Sequence, residues 1–490
     1  MNVKNLLTGV LLLTISASCS DNFLDIPPQD VVTSATFFKT EADFLQAING
    51  NYAALRGLYS DAYAMGEMRS DNTHYILNTS NRGGQIVQRE QIADFVDDPL
   101  NMFTANKYYS DYNIVSRANA VISKIDAATF SADSKNNIKG QALFLRAFAY
   151  YDLVQYYGDV PLYLKLVEDQ SETVLPRSSK DDVYAQIIAD AKDAINLLPQ
   201  TQSDKGRVTK GAALTLLGYV YMTQKNYKDA ETQLTQVTTL GYNLLPGYAA
   251  VFDIANKNSV ESIFEVQYQE GTQGLQSNFT YIFIPGLTNT QPITGLVGNN
   301  QDAGGWNTPT DDLIASYETN DTRKAASIAD GYTGSDGKFV AQPYIKKYLH
   351  PHANFNNTND DWPVYRYADV LLLLAECLNE QGKSTQALPL LNRVRTRAGL
   401  PSTTTTDQAR LRDIIAHERR IELAFENKRW LDLVRTGKAI EVMTAFGVKQ
   451  KQKYAYLLPQ SYAVTPNRLI FPIPQQEIII NPQLTQNPGY

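Results

Sequence analysis

The chain has 490 residues, 43% of them apolar and 19% charged, and a formal net charge of -7. An acidic balance gives no electrostatic reason for a nucleic-acid partner, so that class is set aside. The length exceeds one small core but suits a helical array with inserted loops. With 30 Tyr, 18 Phe and 3 Trp, the chain is well supplied with flat, amphipathic side chains.

The first residues have the layout of an export signal: Lys4, an apolar run from Leu6 to Ile15, then Ser16, Ala17 and Ser18 before Cys19. That run is too short to span a bilayer as a stable helix. A cysteine at the cleavage point resembles a bacterial lipoprotein signal, with Ser16 where Leu is usual. The resemblance implies loss of residues 1–18 and acylation of Cys19 as a lipid anchor. A secreted protein with a free thiol is the alternative. Residues 19–36, polar and broken by Pro27-Pro28, read as a tether, leaving residues 37–490 as one domain.

Thr40 caps a helix expected over residues 41–58, with Phe44, Ala47, Ile48 and Leu55 on one face. Residues 66–99 show no sustained helical period and read as a loop-like tract, of the kind that often carries function in a helical scaffold. Helices are expected again over 105–125, 134–156 and 179–198. In residues 210–240, Leu214, Leu217, Gly218 and Tyr221 precede Ala230, Leu234 and Val237 at the offsets of a tetratricopeptide repeat of about 34 residues. Residues 365–397 repeat the pattern: Leu371, Leu374, Ala375 and Leu378 on one helix, Ala387 and Leu391 on the next. Small residues at these positions let two helices approach closely.

From 241 to 362 the chain changes character, with strand-like pieces at 262–269 and 281–284 among Gly, Asn and Pro. Loops on a rigid scaffold are usual bearers of binding residues. Trp306 lies among Gly304, Gly305, Asn307 and Pro309 rather than apolar neighbours, which makes it the first choice for an aromatic platform. The alternative is that it packs beneath the loop.

Further motifs resemble one family. Asn22-Phe23-Leu24-Asp25 after the lipoprotein cysteine, Phe144-Leu145-Arg146-Ala147 running to Tyr157-Gly158-Asp159-Val160-Pro161, and Glu418-Arg419-Arg420-Ile421-Glu422-Leu423-Ala424-Phe425-Glu426 with Arg429-Trp430 are similar to the SusD/RagB family of nutrient-binding outer-membrane lipoproteins. Pro472-Ile473-Pro474 and Asn487-Pro488-Gly489-Tyr490 agree. The resemblance implies a mainly α-helical scaffold of four tetratricopeptide-like helix pairs, with an irregular, loop-rich, ligand-binding half containing short strands. It implies a binding protein that captures oligosaccharides, or in some branches peptides, for a TonB-dependent transporter of the SusC type. A third reading is a repeat scaffold for protein assembly. Ser20-Asp21 is similar to the acidic export signal of such lipoproteins and implies exposure on the outer face. By the same resemblance Asp71 is carried over as a ligand residue, with His74, Tyr75 and Arg82 by position and Tyr281 added.

Chemistry other than binding finds little support. Glu418, Glu422 and Glu426 recur at four-residue steps, but opposed positions around a bond are what glycosidic acid and base groups need, and interleaved Arg419, Arg420 and Arg429 favour ion pairs. His417 is expected to belong to that network. His350-Pro351-His352 lacks a complete zinc spacing, and the Asn- and Asp-rich run 354–361 lacks the order of a calcium loop, so a solvated loop is favoured over a metal site, no metal ligand is named, and whether a metal is bound stays open. No phosphate loop or dinucleotide fingerprint is present, and no cofactor is expected. Cys377, on an apolar helix side, reads as a small buried thiol.

Overall fold

The structure is a computed structural model and describes residues 37–297 and 303–490. Residues 1–36 lie outside it, so the expectations on Cys19, the signal and the tether concern residues that are not described.

Helix α1 (Glu41–Tyr59) starts at a reciprocal cap: the Thr40 side chain accepts from the Asp43 N–H while the Asp43 carboxylate accepts from the Thr40 N–H. There follow α2 (Gly84–Asp94), α3 (Met102–Ile125), α4 (Ala132–Tyr157), α5 (Lys180–Leu197), α6 (Lys210–Thr223) and α7 (Tyr227–Val237). The C-terminal half supplies α8 (Tyr367–Glu380), α9 (Ser384–Arg397), α10 (Gln408–Glu422), α11 (Arg429–Arg435) and α12 (Ala439–Lys453). Four pairs form, α1 with α3, α4 with α5, α6 with α7 and α8 with α9, and α7 against α8 joins the two halves of the array. The small-residue reading holds at Gly218, where an added Cβ would lie 2.5 Å from Leu234 of α7. Leu371, Leu372, Leu373 and Leu374 of α8 are all buried, each burial being worth about 1.5–3 kcal/mol relative to exposure.

Eight short strands pair two by two among the described residues: β1 (Thr73–His74), β2 (Ser262–Val266), β3 (Thr308–Pro309), β4 (Ile328–Ala329), β5 (Tyr332–Thr333), β6 (Phe339–Val340), β7 (Tyr344–Ile345) and β8 (Trp362–Arg366). β2 runs antiparallel to β8 with Val266 opposite Trp362 and Ser262 opposite Arg366, and a bulge interrupts the register. This delivers Arg366 to the base of α8, where it meets Glu261, Glu422 and Glu426 at 3.0, 3.0 and 2.7 Å.

Two expectations fail locally. The tract 66–99 holds α2, whose buried residues mix polar Glu90 and Asp94 with Ile92 and Ala93 and so blur the amphipathic signal. The strand-like piece at 281–284 is instead a short helix, Phe279–Phe283, because its aromatic residues pack into the core around Trp362, with Phe279 4.8 Å from that ring.

Candidate functional site

A cavity lined by residues singled out in the sequence is assembled beside β1. Thr73 and His74 pair with Pro309 and Thr308, and the Ile76 N–H donates to the Gly305 carbonyl at 2.8 Å. Gly304 has φ 79°, and a Cβ there would strike the Ile284 and Pro285 carbonyls, so only glycine allows this close approach. Trp306 is thereby held beside Tyr75, ring centroids 6.3 Å apart. Below this the buried Glu67 carboxylate of a π-helical turn (Ala64–Met68) accepts from the Phe425 and Asn427 N–H groups. Both of those residues are left-handed, with φ 69° and 60°, in the turn that follows the end of α10 at Glu422.

The cavity measures about 420 Å³ and is lined by Tyr75, Arg82, Glu90, Asp94, Tyr456 and neighbouring apolar residues. That volume lies within the range of small-ligand sites. The Tyr75 hydroxyl donates to Asp94 Oδ2 at 2.8 Å, whereas Asp94 Oδ1 is buried without a partner. Burial pushes the Asp94 carboxyl up to about 7, against the opposing pull of the Tyr75 hydrogen bond. Arg82 grips Glu90 in a two-pronged pair at 2.6 and 2.7 Å at the rim. Tyr456 lies 5.8 Å from Tyr75 and 5.3 Å from Tyr454, giving a run of rings at the cavity wall.

The residues singled out in the sequence occupy different roles. Tyr75 and Arg82 line the cavity, and Trp306 adjoins it, half-buried, with the Arg89 guanidinium 4.6 Å from its ring centre. His74 is buried against Tyr454 and bonds the Tyr456 hydroxyl at 3.2 Å; burial pushes its imidazole down to about 3, so it is neutral. Asp71 is buried, chelated by Arg429 at 2.8 and 3.0 Å and paired with Arg420 at 2.9 Å. Tyr281 sits in a separate small cluster with Ile284 and Tyr344, its hydroxyl bonded to His352 Nε2 at 2.5 Å. Its helix still supports the site, because the Ile284 and Ile282 carbonyls accept from the Gly305 and Trp306 N–H groups. The sequence reading missed Asp94, Glu90 and Tyr456; the signal available for the last was the Tyr454-Ala455-Tyr456 alternation.

The glutamates of the charged segment are spent on ion pairs. Glu418 meets Arg323 at 2.6 Å and Arg395 at 2.9 Å, Glu422 meets Arg323, Arg366 and Arg397, and Glu426 meets Lys347 and Arg366. Burial pushes the Glu422 carboxyl up, but Arg397, Arg366 and Arg323 outweigh it and hold it at about 2. A carboxylate so held does not act as a proton donor near neutrality. His417 stands 3.9 Å from Glu318. His350 is bonded to Asp360 at 2.5 Å, and the 354–361 tract is tied to the 268–277 loop through Asn357, Thr358 and Asp361. Among the described residues no three His, Cys, Asp or Glu side chains converge as a metal set. Cys377 is buried, and burial pushes its thiol up to about 12.

Comparison with known proteins places this arrangement. Residues 329–490 match the SusD family, and residues 22–222 match a family described as starch-binding and associating with the outer membrane. SusD-like protein P2 of Formosa agariphila is 30% identical over 99% of this chain and 100% of its own. A laminarin-binding SusD-like protein superposes with a TM-score of 0.77 at 27% identity, covering 92% of this chain and 100% of that one. A SusD superfamily protein from Bacteroides vulgatus gives 0.76 at 26% identity over 93% of this chain and all of its own. The chain belongs to the SusD family. No helix among the described residues is long and apolar enough to cross a membrane.

Proposed function

We propose that this protein binds oligosaccharides without cleaving them, at the cavity between Tyr75, Asp94 and Tyr456, and hands them to a SusC-like TonB-dependent outer-membrane transporter. The observation that carries this is a cavity of about 420 Å³ that sets the Tyr75 and Tyr456 rings beside the Arg82–Glu90 pair. A pyranose offers an apolar face to the rings and hydroxyl groups to the charged pair at the rim. Similarity to a laminarin-binding protein supports the same class of ligand. Tyr75, Tyr456, Arg82 and Trp306 are assigned ligand contact; Asp71, His74 and Tyr281 are assigned support of the walls. The lipid anchor is assigned to Cys19, with the protein facing outward from the cell.

The test is a glycan array, laminarin included, probed with the chain lacking residues 1–19, followed by calorimetry on any hit. Tyr456→Ala and Trp306→Ala are each expected to weaken binding by roughly tenfold, the worth of about 1.4 kcal/mol of ring contact. Silence across the array with saturable binding of a peptide digest would replace the glycan with peptides. For the anchor, Cys19→Ala is expected to move the protein from the membrane fraction to the soluble one, and retention in the membrane fraction would defeat that assignment.

A further inference from the structure

A second cavity, of about 690 Å³, lies between α3, residues 161–174 and residues 477–484, and shares no lining residue with the first. Tyr108, Tyr109, Tyr112 and Tyr163 stand in its wall. Their rings are set at angles: 83° for Tyr108 and Tyr109, 54° for Tyr108 and Tyr112, and 84° for Tyr112 and Tyr163, with centroids 6.2, 4.8 and 5.7 Å apart. A sugar ring asks for one flat face, which rings set at angles do not offer, whereas the face of a single exposed tyrosine such as Tyr109 suits a cation.

Glu477 stands in the same wall, and its carboxylate has no hydrogen bond or ion pair among the described residues. Burial alone pushes it up, as expected of a carboxyl lacking a counter-ion. The nearby cations are already engaged. Lys165 pairs with Glu172 at 2.6 Å, and Arg177 donates to the Asp159 and Thr485 carbonyls and to the Asn487 side chain. Exposed aliphatic side chains lie on and beside the helical turn that carries Glu477. Ile480 lines the cavity at 59% exposure, Ile479 beside it is 65% exposed, and Leu100 is 70% exposed. Leu100 follows Pro99, whose carbonyl accepts from the Gln475 N–H at the start of the same helical turn. Such a rim gains from an apolar cover, which a hydroxylated sugar does not supply and a polypeptide does.

We propose that this cavity and its rim are a docking surface for a polypeptide partner, which inserts one Lys or Arg side chain among the four tyrosines and Glu477 while apolar neighbours of that residue cover Leu100, Ile479 and Ile480. The inference stands apart from the glycan reading, since it uses other residues.

The probes are three capped heptapeptides of leucine and serine with a central Lys, Gln or Glu, titrated calorimetrically into the chain lacking residues 1–19. The Lys peptide is expected to bind about tenfold more tightly than the Gln peptide, and Glu477→Gln is expected to remove the difference. Tyr109→Ala should weaken the Lys peptide alone, and laminarin binding should be unchanged in both variants. Equal affinity for the Lys and Gln peptides, a preference that survives Glu477→Gln, or no binding at about 1 mM peptide would overturn the proposal. If sedimentation shows self-association that Glu477→Gln abolishes, the occupant is a second copy and the proposed partner is wrong. Binding of a glucosamine oligomer in place of the peptides would likewise overturn it in favour of an amino sugar.

Discussion

Asp94 is one carboxyl with two unlike oxygens: one is committed to the Tyr75 hydroxyl and the other is buried without a partner. Because burial lifts its midpoint to about 7, the carboxyl becomes charged as pH rises through neutrality. A charged acceptor holds the Tyr75 hydroxyl, and with it the ring at the cavity wall, more strongly than a neutral one by about 1 kcal/mol. Ligand affinity is therefore expected to rise about fivefold between pH 6 and pH 8, and Asp94→Asn to flatten the profile. A calorimetric pH series checks this; a slope that persists in Asp94→Asn would place the titrating group elsewhere. The residue scale was also the hardest to read from sequence. Asp71 was singled out by resemblance and His74 by position, both as ligand residues, but nothing local announces that Arg429, some 350 residues on, claims the first. Asp94 looked like one polar residue in a polar stretch because its partner is contributed by tertiary folding.

At the scale of elements, apolar periodicity made the repeat helices legible, and their boundaries fell within a few residues of those observed. α2 was illegible because its inward face mixes Glu90 and Asp94 with Ile92 and Ala93, and the short helix Phe279–Phe283 because its residues favour strands until the core claims them. Two glycines separate the functions of elements. In α12, Gly447 lies so close to Tyr462 that an added Cβ would meet that side chain, and Tyr462, at φ 59°, ends the segment carrying Tyr454 and Tyr456. Gly447→Ala is expected to cost about 1–3 kcal/mol and also to weaken ligand binding as the segment shifts. Gly218→Ala, against Leu234 in the repeat array, should lower stability similarly and leave affinity unchanged. Denaturant titration beside calorimetry distinguishes them; equal affinity in both variants would refute the link between α12 and the cavity.

For the whole molecule, buried carboxyls pull stability in opposite directions with pH. Glu422, held at about 2, contributes stability above the ordinary glutamate range, and this is lost as pH falls through about 2. Glu67, Asp94 and Glu265 are pushed up to about 7, chiefly by burial, so their contribution is full in acid and is lost as pH rises through about 7. The melting temperature is expected to climb as pH is lowered from 8 to about 5 and to fall again in stronger acid. Scanning fluorimetry across that range reads it directly, and a curve rising monotonically to pH 8 would contradict these assignments.

The cavity walls come from both ends of the chain: Tyr75 to Asp94 on one side, Tyr456 on the other, with the Tyr462 N–H bonded to the Asp94 carbonyl at 2.9 Å. A polypeptide emerging amino-terminus first therefore builds its helix pairs long before it owns a binding site. Truncated chains that end before Tyr456 would be folded in part yet blind to ligand. Ligand recognition at this cavity thus certifies a chain completed through Tyr456, and a binding assay would count only such chains.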